Sequence, residues 1–350
     1  MNFGLSKHMI DATRLTRSGN LMEATAAIQL MLSAGGQSSA DREPVLTIEG
    51  VAIDLEDEPV AGQVRDARSG KAAFLARIYA GSSGGRPYKL FVPSGYHGQA
   101  VPLVVMLHGC TQSPDDFAAG TRMNEAAEAQ TFLVAYPSQT AAANPQKCWN
   151  WFRCGDQRRD AGEPLLLAGI TREVMGDYAV DARRVFIAGL SAGGAAAAIM
   201  GQAYPEIFAA IGVHSGLACG AAHDMGSAFA AMGGHGAVAS KAGPGVVPTI
   251  IFHGDADKTV SAGNAEQVAM QAAAGALAAR TETGRAPDGM RYSRTLYADA
   301  DGRDVVEKWL VHGAGHAWFG GSPAGSYTLA RGPDATAEMV RFFLAHPRRG

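Results

Sequence analysis

The sequence predicts an α/β fold: a mostly parallel, doubly wound sheet with helices on both faces. Three observations carry this expectation. The run VPLVVMLHG at 101–109 is apolar without alternation, which is how a central strand covered on both faces reads. From there to the end, apolar runs alternate with helical stretches, the rhythm of βαβ units. Hydrophobic residues make up 47% of the 350 and charged residues 18%, enough to bury a large core.

Taken in order, residues 7–33 read as helical with a Ser-Gly-Asn break at 18–20, and 33–44 (SAGGQSSADREP) as a polar linker. Within the first stretch, 24–36 (ATAAIQLMLSAGG) loosely mimics an apolar export core. Glu23 precedes it and Gln29 interrupts it, so it reads as an amphipathic helix. Residues 45–80 mix short β-prone pieces with turns. A strand and a Pro-Ser-Gly turn follow at 85–96, then the strand at 101–109, a helix at 115–130 and a strand at 132–138. Residues 163–178 form a helix with Pro164 near its start, where proline fits. RRVFIAG (183–189) is a strand and 192–203 a helix; strands follow at 209–216 and 247–254. A helix at about 263–280, a strand at 306–312 and a helix at 333–345 complete the chain. Residues 217–246, rich in Gly, Ala and Met, read as an irregular loop or small helical insertion. The chain thus divides into an N-terminal segment, 1–80, and an α/β catalytic domain, 81–350.

The net charge of −3, with no basic block, argues against a nucleic-acid partner. No run reaches the roughly 18 apolar residues of a spanning helix. The four cysteines, Cys110, Cys148, Cys154 and Cys219, contain no CxxC and join no His cluster with zinc spacing, so no metal site is expected.

The stretch VFIAGLSAGG (185–194) sets Ser191 between Gly189 and Gly193 where a strand meets a helix. This is the pattern of a nucleophile elbow, a turn so sharp that its flanking positions must be small. The acid and the histidine should follow in that order, each after a strand. TIIFHGDADKTV (249–260) offers Asp257, with Asp255 as the alternative. KWLVHGAGHAWFGG (308–321) offers His316 in a Gly-rich loop, with His312 at the strand end as the alternative. A neutral imidazole would take the serine proton, and the aspartate would fix its tautomer. Oxyanion donors are expected at the N–H of Ala192 and, after the strand at 101–109, at the N–H of Cys110 or else Thr111. His108 is expected to hold that loop. No cofactor is needed for such chemistry.

With LHGCTQSPDDFAAGTRMNEAAEAQTFLVAYPSQ, CWNWF, GLSAGG, HGDADKTV and GAGHAWFGGSPAGSY in order, the chain resembles the poly(3-hydroxybutyrate) depolymerase-type esterases over residues 85–345. These are α/β-hydrolases also similar to feruloyl and acetyl-xylan esterases. The resemblance implies a carboxylic-ester hydrolase with a triad of Ser191, Asp257 and His316. It implies a short-chain poly(3-hydroxyalkanoate) polyester or its oligomers as substrate, with a feruloyl or acetyl-xylan ester as the alternative. An inactive α/β-hydrolase used as a binding module is the rival from another class. Trp149, Trp151 and Trp318 are candidate substrate-binding residues, since exposed rings would suit a flat polyester or phenolic ester. Cys110–Cys148 and Cys154–Cys219 bridges are expected to tie active-site loops together. They would place the protein outside the reducing cytoplasm, extracellular or periplasmic. Four reduced thiols in a cytoplasmic enzyme are the alternative, as no clean signal peptide is visible.

Overall fold

The computed structural model describes residues 70–81, 84–236, 247–273 and 278–349. The expected helix at 7–33, the export-like stretch, the linker and residues 237–246 of the insertion lie outside the described residues.

The apolar runs become a ten-stranded sheet in the order β1-β2-β4-β3-β5-β6-β7-β10-β9-β8. Its strands are β1 (Ala73–Gly81), β2 (Gly84–Val92), β3 (Val101–Leu107), β4 (Leu133–Pro137), β5 (Val180–Leu190), β6 (Ala210–His214), β7 (Thr249–Gly254), β8 (Ala278–Arg285), β9 (Arg291–Ala298) and β10 (Asp304–Val311). The strands from β4 through β10 in that order pair in parallel. Antiparallel strands flank them at both edges. A separate parallel pair, β11 (Trp318–Phe319) and β12 (Thr328–Leu329), follows β10.

The runs lack alternation because both faces are covered. In β3, Leu103, Val105 and Leu107 enter one core cluster, while Val104 and Met106 enter the other. In β5, Val185 and Ile187 oppose Phe186, Ala188 and Leu190 in the same way. Each of these Val, Leu, Ile, Phe and Met side chains contributes about 1.5–3 kcal/mol by leaving water. The first cluster packs against α3 (Gly162–Asp177), α4 (Ala192–Ala203) and α6 (Gly263–Ala272). The second packs against α1 (Pro114–Thr121), α2 (Met123–Gln130) and α7 (Ala335–Ala345). A short α5 (Met225–Ala230) lies in the insertion, capped by Asp224.

The structure departs from the sequence expectations at three places. The helix expected at 115–130 breaks at Arg122, which takes a left-handed conformation (φ 58°, ψ 23°). The break follows Gly120, whose missing side chain admits Gly325 and Thr328: a Cβ there would lie 2.8 Å from Thr328 Cγ2. The helix expected to reach 280 ends at Ala272, and Ala278 already begins β8. The β8–β9 hairpin was not anticipated, because β8 is exposed along nearly its whole length and so carries no apolar period. Strand β1, within the stretch of short β-prone pieces at 45–80, is an edge of the sheet.

The junction of α7 with the sheet has no spare room. A Cβ on Gly212 would lie 2.9 Å from both Ala188 Cβ and Met339 Sδ and 3.1 Å from Phe343 Cζ. Gly212→Ala should therefore cost about 1–3 kcal/mol, as overpacked cores do. Urea unfolding should show a lower midpoint with an unchanged slope.

Candidate active site

Four loops leave the carboxyl edge of the parallel strands β3, β5, β7 and β10, and they carry Cys110, Ser191, Asp257 and His316 respectively. Ser191 joins β5 directly to α4 at φ 58°, ψ −119°, a conformation that costs an L-residue free energy. Its N–H donates to His214 O at 2.8 Å. The flanking glycines are required by backbone contact. A Cβ on Gly189 would lie 2.4 Å from the Gly193 carbonyl, and one on Gly193 would lie 2.0 Å from Leu107 O. The turn places Ser191 at the N-terminus of α4, whose unsatisfied N–H groups favour negative charge.

Asp257 and His316 meet across the loops after β7 and β10. His316 Nδ1–H donates to Asp257 Oδ2 at 2.6 Å. Asp257 Oδ1 accepts from the N–H groups of Thr259 and Val260 at 2.8 and 2.9 Å. Burial opposes ionisation of this carboxyl. Hydrogen bonds from His253 and His316, the charge on His316 and the Val260 N–H outweigh it and hold the group well below the usual carboxylate range. The two loops touch at Gly254, where a Cβ would lie 2.1 Å from Ala314 O.

The alternative residues also pair, with each other. His312 Nδ1 bonds Asp255 Oδ2 at 2.8 Å, and Asp255 Oδ1 accepts from Gly313 N–H at 2.6 Å. His312 Nε2 contacts Ser293 Oγ at 2.9 Å. This chain clips the His316 loop to β7 and β9. Ser293 lies within β9 rather than at a strand–helix turn, so no helix N-terminus faces it.

Two further histidines support the site and were not singled out from the sequence. His253 is fully buried; its Nε2 lies 2.9 Å from Val260 O and 3.4 Å from Asp257 Oδ2. A carbonyl only accepts, so the proton sits on Nε2. His214 stacks between Phe252 and Trp318, with ring centroids 5.7 and 4.9 Å away. Its Nε2 accepts from Phe319 N–H at 3.3 Å, which anchors β11 to the end of β6. Burial, together with His253 and His316, holds the His214 imidazole well below its ordinary range. The only sequence signal for either was a histidine at the end of an apolar run.

The loop after β3 is held by the segment 139–150. Trp149 Nε1 donates to His108 O at 3.1 Å, and Thr111 N–H donates to Gln146 O at 2.7 Å. The expected Cys110–Cys148 disulfide is present. Thr111's N–H is thereby committed, whereas those of Cys110 and Ala192 have no acceptor among the described residues. Gln112, also unanticipated, accepts from Gly109 N–H at 2.8 Å and donates to Asp116 and to Ser326 O.

Two expectations need correction. Trp149 (1% exposed), Trp151 (6%) and Trp318 (1%) are core residues, not an exposed aromatic wall. Residues 149–152 enter a turn rather than an extended strand, and Trp318 spends its N–H on Thr336 Oγ1 at 3.0 Å. Cys154 and Cys219 are free thiols. Gln271 holds the Cys219 backbone at its N–H and carbonyl, whereas the exposed Cys154 sits by His223 O. Burial pushes the Cys219 thiol up to about 11.

The profile of the family described as "Esterase PHB depolymerase" matches residues 86–287. Poly(3-hydroxyalkanoate) depolymerase C of Paucimonas lemoignei is 32% identical over 243 residues, 64% of this chain and 56% of that protein. Feruloyl esterase B of Neurospora crassa is 31% identical over 117 residues, 33% of this chain and 39% of that protein. The matched region therefore spans about half, or less, of the length of these curated relatives. Among solved structures, an acetyl xylan esterase from Aspergillus awamori aligns with a TM-score of 0.59 at 21% identity, covering 70% of this chain and 94% of that one. That likeness shows the α/β-hydrolase fold.

Two predictions follow from this geometry. The bridge closes a separation of 38 residues, so replacing Cys110 and Cys148 by serine should cost about 4 kcal/mol by loop entropy. A Tm unchanged by the double substitution would contradict this. The second concerns acid. Burial pushes His108 from 6.5 down to about 4, and His214 is lowered too. The unfolded chain therefore takes up protons below about pH 6.5 that the native state refuses. Stability is complete above that pH and should fall steadily toward pH 4; a Tm flat between pH 7 and 5 would refute it.

Proposed function

Because the chain belongs to the esterase PHB depolymerase family, we propose that it hydrolyses carboxylic esters through an acyl-enzyme on Ser191. The observation that carries this reading is the 2.6 Å pairing of His316 with the buried Asp257, in a protein whose Ser191 is held on a strained strand–helix turn. In this reading the Ser191 hydroxyl attacks the ester carbonyl carbon while His316 Nε2 takes its proton. The resulting oxyanion is met by the N–H groups of Cys110 and Ala192. Collapse breaks the C–O bond, and the imidazolium returns the proton to the departing alcohol. Water, deprotonated by His316, then attacks the acyl carbon and restores Ser191. Asp257 holds the proton of His316 on Nδ1, leaving Nε2 free to accept.

For the substrate we propose a short-chain poly(3-hydroxyalkanoate) or its oligomers, supported by the relative from Paucimonas lemoignei that matches over 64% of this chain. The second reading is a feruloyl or acetyl-xylan ester, supported by the match to feruloyl esterase B. The buried tryptophans favour neither. The disulfide beside the site supports action in an oxidising, non-cytoplasmic setting. No helix among the described residues is long and apolar enough to cross a membrane.

Ser191→Ala and His316→Ala should each lower hydrolysis of 4-nitrophenyl butyrate by several orders of magnitude. Asp257→Asn should lower it by up to ~10⁴-fold, through loss of the correct imidazole tautomer, and Asp255→Asn far less. An inactive Asp255→Asn beside an active Asp257→Asn would overturn the acid assignment. Across 3-hydroxybutyrate oligomers, methyl ferulate and acetylated xylan, kcat/KM should be highest for the oligomers. A preference for either of the others selects the second reading.

A further inference from the structure

Besides Ser191, two residues of the site loops hold backbone conformations that their side chains disfavour. Thr111 lies at φ 67° and Tyr327 at φ 51°, in the left-handed region that β-branched and bulky residues rarely enter. Such strain persists only where the surroundings hold it, and it gathers at ligand sites. Neither side chain has a part in the mechanism above. Their hydroxyls meet, one from the loop after β3 and the other from the segment that follows His316: Tyr327 Oη lies 3.4 Å from Thr111 Oγ1. Thr111 is two residues beyond Gly109, where a Cβ would lie 3.7 Å from Ser191 Cβ. Two trans peptides span at most about 7.6 Å, so the pair of hydroxyls stands beside the reacting serine. The backbone that presents Tyr327 is fixed at several points. Ser326 donates from its N–H and its hydroxyl to Asp116 at 2.9 and 2.6 Å, and the Gln112 side chain donates to Ser326 O at 3.1 Å. A Cβ on Gly325 would lie 2.4 Å from Asp116 O, and Trp318 N–H donates to Tyr327 O at 2.7 Å.

The protons of the two hydroxyls can be assigned. Thr111 Oγ1 spends its proton on Cys110 O at 2.6 Å, so Tyr327 is the donor between them. At 3.4 Å that bond is far longer than the 2.7–2.8 Å usual between hydroxyls, and Thr111 is exposed, so the Tyr327 proton is weakly held on a fixed platform. We infer that the Tyr327 hydroxyl is a substrate-binding donor: it binds the second carbonyl oxygen of a 3-hydroxyalkanoate ester, on the alcohol side of the bond that is cut. The inference rests on the proposed polyester reading and deepens it. In such a chain the ester oxygen is joined through two carbons to the next carbonyl, so an acceptor recurs at a fixed spacing from every scissile bond. In the proposed mechanism His316 returns its proton to the departing alcohol, which therefore faces the segment that carries both His316 and Tyr327. A simple alkyl ester offers no acceptor there. Tyr327 would thus select for the repeating unit itself, a task that the buried tryptophans leave unfilled.

Two esters that differ only in this acceptor test the inference. Methyl 3-(3-hydroxybutyryloxy)butyrate carries the second carbonyl; 2-hexyl 3-hydroxybutyrate has the same scissile bond and nearly the same length but lacks it. Cleavage is followed by release of methyl 3-hydroxybutyrate and of 2-hexanol. The wild type should favour the first ester in kcat/KM by about tenfold, the scale of one neutral hydrogen bond. Tyr327→Phe keeps the ring and removes the hydroxyl, and it should bring the ratio of the two kcat/KM values close to one. A loss of packing or of the triad's geometry would slow both esters alike and leave the ratio as it was. An unchanged ratio in Tyr327→Phe would therefore overturn the inference. So would equal kcat/KM values for the two esters in the wild type, a result that needs no variant to fold. Failure of the underlying reading looks different. If wild type and Ser191→Ala hydrolyse both esters equally poorly, the esterase reading falls and this inference with it. If the wild type cleaves methyl ferulate in preference to either ester, the polyester reading falls in the same way.

Discussion

The close approach of three backbones around Ser191 is the constraint on which the rest of the site depends. The end of β3, the turn after β5 and the first turn of α4 meet with no space for a methyl group at Gly189 or Gly193. That contact forces the strained conformation of Ser191, and it also sets the distances of everything nearby. Because Leu107 O and His108 O abut Gly193, the loop carrying Cys110 is positioned by the same contact that positions the serine. Because Ser191 N–H is bound to His214 O, the end of β6 is part of it too. The extended sheet and its two apolar layers supply the rigidity that maintains a turn of this kind against relaxation.

Around this turn, polar chemistry is distributed among histidines whose tasks are set by their hydrogen bonds rather than by their position in a motif. His316 holds its proton on Nδ1 because Asp257 accepts it. His253 holds its proton on Nε2 because Val260 O accepts it, and it adds a second contact to Asp257. His214 and His108 are buried and neutral, each accepting a backbone N–H that fixes a loop. In a low-dielectric interior an unpaired polar atom is costly, so these pairings determine the loop conformations as much as packing does. One exception is His253 Nδ1, which has no hydrogen-bond partner among the described residues.

Much of this was legible from residue order. The strand–helix boundary at 190–192 was visible as an apolar run ending in Gly-Leu-Ser-Ala-Gly, because backbone contact leaves no alternative to glycine there. The strands at 101–109, 132–138 and 247–254 were visible because burial on both faces keeps their runs almost wholly apolar. The hairpin of β8 and β9 was not, since its exposure leaves no period. Arg122 gave no sign of the helix break, which lies beside the close approach of the distant Gly325 and Thr328 to Gly120. The tryptophans misled for a related reason: an indole can fill a core or face a ligand, and only its neighbours decide which. The pairing of Cys110 with Cys148 could be anticipated because both flank site loops. Cys154 and Cys219 remain free thiols, Cys154 beside His223 O and Cys219 with its backbone bound to Gln271.

The central claim is that Ser191, activated by His316 and Asp257, is the nucleophile. It is tested most directly by treating the folded protein with a fluorophosphonate and locating the adduct by peptide mass spectrometry. The account predicts a single adduct on the peptide containing Ser191, and its loss in His316→Ala. An adduct on Ser293, which stands in its own chain with His312 and Asp255, or no adduct on a protein that hydrolyses esters, would contradict it.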